Sequence, residues 1–274
     1  MDLRPIVAAA PEVALRGTVL RLVQQQGINS LEPLVDNLEQ LARLEAMVET
    51  SKPPLPSAGP DTPSHPLLTT PFRYPPLRHG SRFGSRQYRG MFYGSRSRSG
   101  CLVEGAYYGL LFWEGLIEPP AAPIRRRQTL FSVLLNASRG LRLQAIAAEA
   151  AQASLRDPLA YGPTQQLGAW MRDQGIGAFE YFSARSRDAL VQVGVFSPAL
   201  FQSTPFDQVE ISTEISADHT TFLCHDDGKL HRFERELFLI DGGSPGAASA
   251  RLWPQGGIDR PVDPGDCVFA RFGG

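Results

Sequence analysis

Residues 71–109 read PFRYPPLRHGSRFGSRQYRGMFYGSRSRSGCLVEGAYYG and hold seven arginines, one histidine and a single acid, Glu104. No Asp or Glu occurs from Thr62 to Val103. Like charges confined to one region repel unless anions neutralise them. Arginine brings a planar fork of donors that grips phosphate or carboxylate and stacks on rings. Three anions qualify: a protein surface, a nucleic acid and a dinucleotide pyrophosphate. The interleaved Phe72, Tyr74, Phe83, Tyr88 and Phe92 would suit base stacking. The prolines and glycines among them describe a turning, folded segment instead of a basic helix. The plainer alternative is a solvated loop whose arginines pair with carboxylates elsewhere.

The same stretch leads into CLVEGAYYGLLFWEG, which predicts a helix from Cys101 to Glu114, ended by Pro119, Pro120 and Pro123. Helical spacing sets Glu104 one turn before Tyr107 and Tyr108 and above Leu111. A carboxylate on a largely apolar helix, preceded by arginines, is expected to be partly buried and charge-paired. Two readings stand: a structural ion pair, or an acid that handles a proton, a hydroxyl or a developing cation while arginines clamp an anionic ligand.

Working outward, residues 1–50 are expected to form an N-terminal helical extension. Pro11 to Gln26 reads as one helix, with Val13, Leu15, Val19, Leu20 and Val23 as its apolar positions. A second follows Ser30, a suitable cap, with Leu31, Leu34, Val35, Leu38, Leu41, Leu44 and Val48 at three-to-four spacing. Gly27 and Asn29 break the two apart. Residues 51–70 read as a proline-rich linker, and residues 71–274 as the main domain. There, Arg89–Tyr93 and Leu130–Leu134 suggest strands, Leu141–Leu155 and Pro163–Gln174 helices, and Ala178–Ser183 a strand. Thr221–His225, Leu230–Phe233 and Leu237–Ile240 suggest later strands, with Asp227–Gly228 as a hairpin turn. Helices early and strands late favour an α+β fold with mixed or antiparallel sheets.

The 274 residues carry a net charge of −1, which argues against a general polyanion binder. Only Lys52 and Lys229 are lysines. The three cysteines, Cys101, Cys224 and Cys267, are too few for a disulfide framework and fit a reducing cytoplasm. No signal peptide or membrane span is read, so a soluble cytoplasmic protein is expected. P-loop, Rossmann, zinc-protease and nucleophile-elbow signatures are absent. His219, Cys224, His225, Asp226, Asp227 and His231 group loosely, but their spacing matches no zinc pattern and reads as a polar hairpin; no metal is expected.

Taken in order, Phe72-Arg73, Gly80-Ser81-Arg82-Phe83, Tyr93-Gly94-Ser95, Glu104 and the later YGPTQQLGAWMRDQGIGAFEYFSARSRD with VFSPALF resemble the RES domain, over roughly Thr70 to Phe201. That family supplies the toxins of RES–Xre toxin–antitoxin pairs. Two departures are visible: the family's asparagine after the aromatic is Gly84 here, and the interval from Arg73 to Arg82 is short, so either arginine fills the family's first position.

The resemblance implies a fold like that of ADP-ribosyltransferases and consumption of NAD by hydrolysis, phosphorolysis or ADP-ribosyl transfer. It implies NAD as substrate and a helix-turn-helix antitoxin of the Xre type as partner, while no membrane or direct nucleic-acid contact is expected from the lack of a long apolar stretch and the near-zero net charge. It also gives the residues their roles. Glu104 would stabilise the oxocarbenium-like centre or hold a ribose hydroxyl, and Arg73 and Arg82 would grip the pyrophosphate. Tyr93 would meet the nicotinamide ribose, and Ser183, with Arg185 beside it, would orient the nicotinamide end. The expected activity is cleavage of the nicotinamide–ribose bond. Alternatives are ADP-ribosyl transfer to a protein and, of another class, a non-enzymatic nucleic-acid or partner-binding module. The leucine-spaced helix leaves a homodimer open, since it would equally serve as a packed arm.

Overall fold

A computed structural model of the chain describes residues 1–25, 34–54, 65–76 and 80–239. In order these form α1 (Arg4–Ala8), β1 (Val13–Gln24), α2 (Leu38–Ser51), α3 (Pro66–Thr69), β2 (Phe92–Ser95), α4 (Arg98–Glu114), β3 (Ile124–Arg142), α5 (Glu149–Arg156), α6 (Gly162–Asp173), β4 (Ala178–Phe182), β5 (Val191–Val195), β6 (Phe206–Ile215), β7 (His219–Cys224) and β8 (Leu230–Glu234). The fold is α+β, with one mixed, mostly antiparallel sheet in the order β1-β2-β5-β4-β3-β6-β7-β8.

The long strand β3 organises that sheet. One of its edges carries β1, in register from Val13↔Gly140 to Gln24↔Gln128. Its other edge carries β6, antiparallel, from Ile124 to Ser132, and then β4, parallel, from Gly140 to Arg142. β1 also meets β2 at Leu20↔Ser95. The pairing β1-β2-β5-β4-β3 therefore returns to its start and closes a ring, which removes the exposed edges those strands would otherwise have. β6, β7 and β8 extend from it as an antiparallel meander.

A helix was expected over Pro11–Gln26; the structure has the strand Val13–Gln24 there, and Gln26 lies outside the described residues. Leu15, Val19, Arg21 and Val23 are its buried positions. An apolar spacing of four satisfies both one helical face and one face of a strand, so periodicity alone could not separate them. The β-branched Val13, Thr18, Val19 and Val23 favour the strand. Gly17, at a φ of 101°, sits where few other residues would.

The second helix is present as α2, but Asn37 caps it, its side chain accepting from Gln40 N at 2.9 Å. Ser30, Gly27 and Asn29 lie outside the described residues. The helix expected over Leu141–Leu155 shrinks to α5: Leu141 and Leu143 instead alternate into the core as β3 ends. Leu237–Ile240 was expected as a strand; residues 235–238 form a 3-10 turn, and Ile240 lies outside the described residues. The strand expected at Leu130–Leu134 is the centre of the much longer β3, while β5 and β6 had no counterpart in the sequence reading.

Seven phenylalanines, Phe72, Phe83, Phe92, Phe131, Phe179, Phe201 and Phe222, are fully buried. Each contributes about 1.5–3 kcal/mol relative to exposure. One apolar cluster fills the ring between β1, β3 and β5 with α3. A second lies beneath α1, α5 and α6 against β4, and a third joins α4 to β6 and β7. α4 has Ser97 as its cap, the Ser97 Oγ accepting from Gly100 N at 3.1 Å. Among the described residues no helix is long and apolar enough to cross a membrane.

Candidate active site

Glu104 lies on the second turn of α4, half-buried, and Ser183 lies just past the end of β4, fully buried. Ser183 Oγ donates to Glu104 Oε1 at 2.6 Å. The two residues are 79 positions apart, one on α4 and the other at the end of β4. The backbone N–H of Arg185 donates to Ser183 Oγ at 3.0 Å, which fixes that hydroxyl as acceptor from the backbone and donor to the carboxylate. Among the described residues Ser183 is the hydrogen-bond donor to Glu104, through Oε1.

Aromatic rings wall this pair. The Arg185 guanidinium stacks 3.7 Å from the centroid of Tyr107, one turn along α4 from Glu104, and donates to Tyr161 Oη and to Pro158 O. Burial pushes the Tyr181 hydroxyl well above its ordinary range, and the Glu104 charge adds to that. Tyr108 is raised in the same way, by burial first and then by Tyr161. These phenols therefore stay neutral donors across the physiological range.

Arg82 enters from the Gly80–Gly84 loop. It is buried, and it donates to Leu155 O at 2.9 Å and Asp157 O at 2.8 Å, with its guanidinium 5.0 Å from the Tyr161 ring centroid. α6 carries this loop: Thr164 Oγ1 donates to Arg82 O at 2.6 Å and Gln165 Nε2 to Ser81 O at 3.0 Å. Gly168 lies so close that a Cβ there would stand 1.8 Å from Phe83 O. Tyr93 closes the loop from the other side. Its hydroxyl accepts from Phe83 N at 3.0 Å and hydrogen-bonds Ser81 Oγ at 2.8 Å. Burial pushes the Tyr93 hydroxyl up to about 12.

Of the residues singled out from sequence, Glu104 and Ser183 are in direct contact, and the charges of Glu104 and Arg82 both bear on Tyr181. Arg73 is placed differently. Its guanidinium pairs with Glu49 of α2 at 2.8 Å and its Nε donates to Pro53 O. The sequence reading did not assign Tyr161 and Tyr181, and noted Arg185 only as Ser183's neighbour. The S-A-R run was a signal for Arg185. Tyr161 had none, because a loop residue's partners come from distant elements.

The remaining arginines of the opening stretch divide. Arg96 pairs with the buried Glu180 at 2.8 Å and donates to Thr18 O. Arg98 pairs with Asp226 and, at 3.4 Å, with Asp227. Arg86 and Arg89 are exposed, and Arg78 lies outside the described residues. Cys224, Asp226 and Asp227 bring ligand atoms within 4.8 Å of one another, and the cations at the aspartates are Arg98, on both, and Lys229, on Asp227. Of the histidines in that group, His219 bonds Asp218 and Ser216, and His225 bonds Ser212.

A family model for the RES domain matches residues 57–214, more than half of the chain. The chain belongs to the RES family. That family is known from toxin–antitoxin systems. The RES match contains Arg73, Arg82, Tyr93, Glu104 and Ser183, together with α4 to β5 and most of β6, while β1 and α2 precede it. No curated protein matches the chain.

Proposed function

We propose that this RES protein cleaves the nicotinamide–ribose bond of NAD, and that a helix-turn-helix antitoxin of the Xre type holds it in check. The observation that carries the reading is the half-buried Glu104 carboxylate, one oxygen held by the buried Ser183 hydroxyl, among tyrosines that stay neutral. As the C–N bond breaks, nicotinamide leaves with the bonding pair and the ribose carbon gains positive charge. A fixed carboxylate, shielded from bulk water, stabilises that charge more than it stabilises the ground state. Water or phosphate then adds to the ribose carbon and loses a proton.

Arg82 and Tyr93 shape this site from the loop carried by α6, and Ser183 orients Glu104. Arg73 would reach a pyrophosphate only on leaving Glu49, so in this arrangement it serves to hold α2. The nucleic-acid reading loses support on the same ground: Arg73, Arg96 and Arg98 already face carboxylates.

Purified protein free of partner is incubated with NAD, with and without phosphate, and its products identified. Nicotinamide together with ADP-ribose or its phosphorylated form is expected. NAD left intact over hours in both conditions rejects the reading, and label retained on protein redirects it to ADP-ribosyl transfer.

A further inference from the structure

We propose that Arg185 is the positioning residue of the Glu104–Ser183 pair. Its own backbone N–H fixes the Ser183 hydroxyl, and its side chain anchors the turn from which that N–H is presented. The anchor has three points: the Tyr107 ring on α4, and Tyr161 Oη and Pro158 O in the loop between α5 and α6. The residue is only 6% exposed and its guanidinium is taken up by these partners, so it acts through Ser183.

The partners explain why arginine is needed here. Stacking on one ring while donating to two oxygens takes a flat cation with several donors in fixed directions. A lysine carries the same charge on one rotatable head and cannot do all three. The guanidinium also has neutral partners, Tyr161 Oη and Pro158 O, and Glu104 is the carboxylate that contributes to its field.

This inference rests on Glu104 being the reacting carboxylate, so its test carries one readout independent of NAD. For Arg185→Lys we expect kcat for NAD loss to fall about 100-fold, the loss that a displaced reacting group causes, with KM within about threefold. Methylguanidinium added to Arg185→Ala should restore part of kcat. In a crystal structure of Arg185→Lys, Ser183 Oγ should have left hydrogen-bond distance of Glu104.

An unchanged kcat, or a KM that rises at constant kcat, overturns the proposal, since the latter marks a ligand anchor. If the wild-type protein leaves NAD intact, the functional reading fails by itself. The Ser183–Glu104 distance in the variant then decides: a retained contact overturns the positioning role and a broken one upholds it. If Arg185→Lys does not fold, Arg185→Gln replaces it. Failure of both to fold makes Arg185 a stability residue and overturns the proposal.

Discussion

At the scale of single residues, two hydroxyls with similar surroundings do different work. Ser183 Oγ serves Glu104, whereas Tyr93 Oη serves a backbone N–H and Ser81. Their replacements should therefore separate. Glu104→Gln keeps the shape and the Ser183 contact but removes the charge. NAD cleavage should drop at least about 100-fold, the scale for losing one fixed electrostatic stabiliser, with the melting temperature nearly unchanged; equal loss of both would favour a structural role for Glu104. Tyr93 should reveal itself at alkaline pH. Its hydroxyl titrates near 10 in the unfolded chain and, through burial, at about 12 in the fold. The unfolded state thus releases its proton first, so stability is full below pH ~10 and falls as pH rises toward ~12, by about 2–3 kcal/mol at the limit. Tyr93→Phe should flatten that fall in denaturant titrations at pH 9 to 11.

Among the elements, α6 is the piece on which the site loop depends. Its Thr164, Gln165 and Gly168 form one face at helical spacing, and all three meet the backbone of the Gly80–Gly84 loop. A Cβ at Gly168 would collide with the Phe83 carbonyl, and neither backbone can yield without moving Arg82. Gly168→Ala should cost about 3 kcal/mol or more and lower activity in the fraction that folds. Gly162, at the first position of the same helix, has open space around it. Gly162→Ala should be neutral or stabilise by up to about 1 kcal/mol through the unfolded chain. Chemical denaturation of both variants checks the contrast, and equal costs would mean that the α6–loop contact is dispensable.

At the scale of the whole molecule, the ring of five strands depends on β1, which bonds to β2 at one side and to β3 along nearly its full length. Removing residues 1–25 would open two strand edges and expose the cluster around Phe131 and Val133. That truncation should yield a chain without a cooperative thermal transition, even though residues 57–214 hold the whole RES match. A truncated protein that melts cooperatively and retains NAD cleavage would show β1 to be an accessory strand.

How much of this was legible in the sequence follows the range of the interactions involved. The α4 and α6 helices, β4, the β7–β8 hairpin with its turn at Gly228, and the α+β class were readable, because periodicity, caps and turn residues act over a few positions. Glu104 and Ser183 were singled out through a motif whose pieces keep their order, and the fold brings their side chains into contact. The strand β1 was not readable, since its apolar spacing fits helix and strand alike and only pairing with β3, more than a hundred residues away, selects between them. The fate of the arginines was not legible either. Residue type told that seven cations needed anions, but tertiary contacts assigned Arg73 to Glu49, Arg96 to Glu180 and Arg98 to Asp226, and left Arg82 and Arg185 around Tyr161. Sequence by itself determined the local elements and the chemical inventory of the site, because both are properties of short stretches. Only the tertiary structure decided which charge meets which partner, because electrostatic and hydrogen-bond energies depend on distance in space and not on distance along the chain.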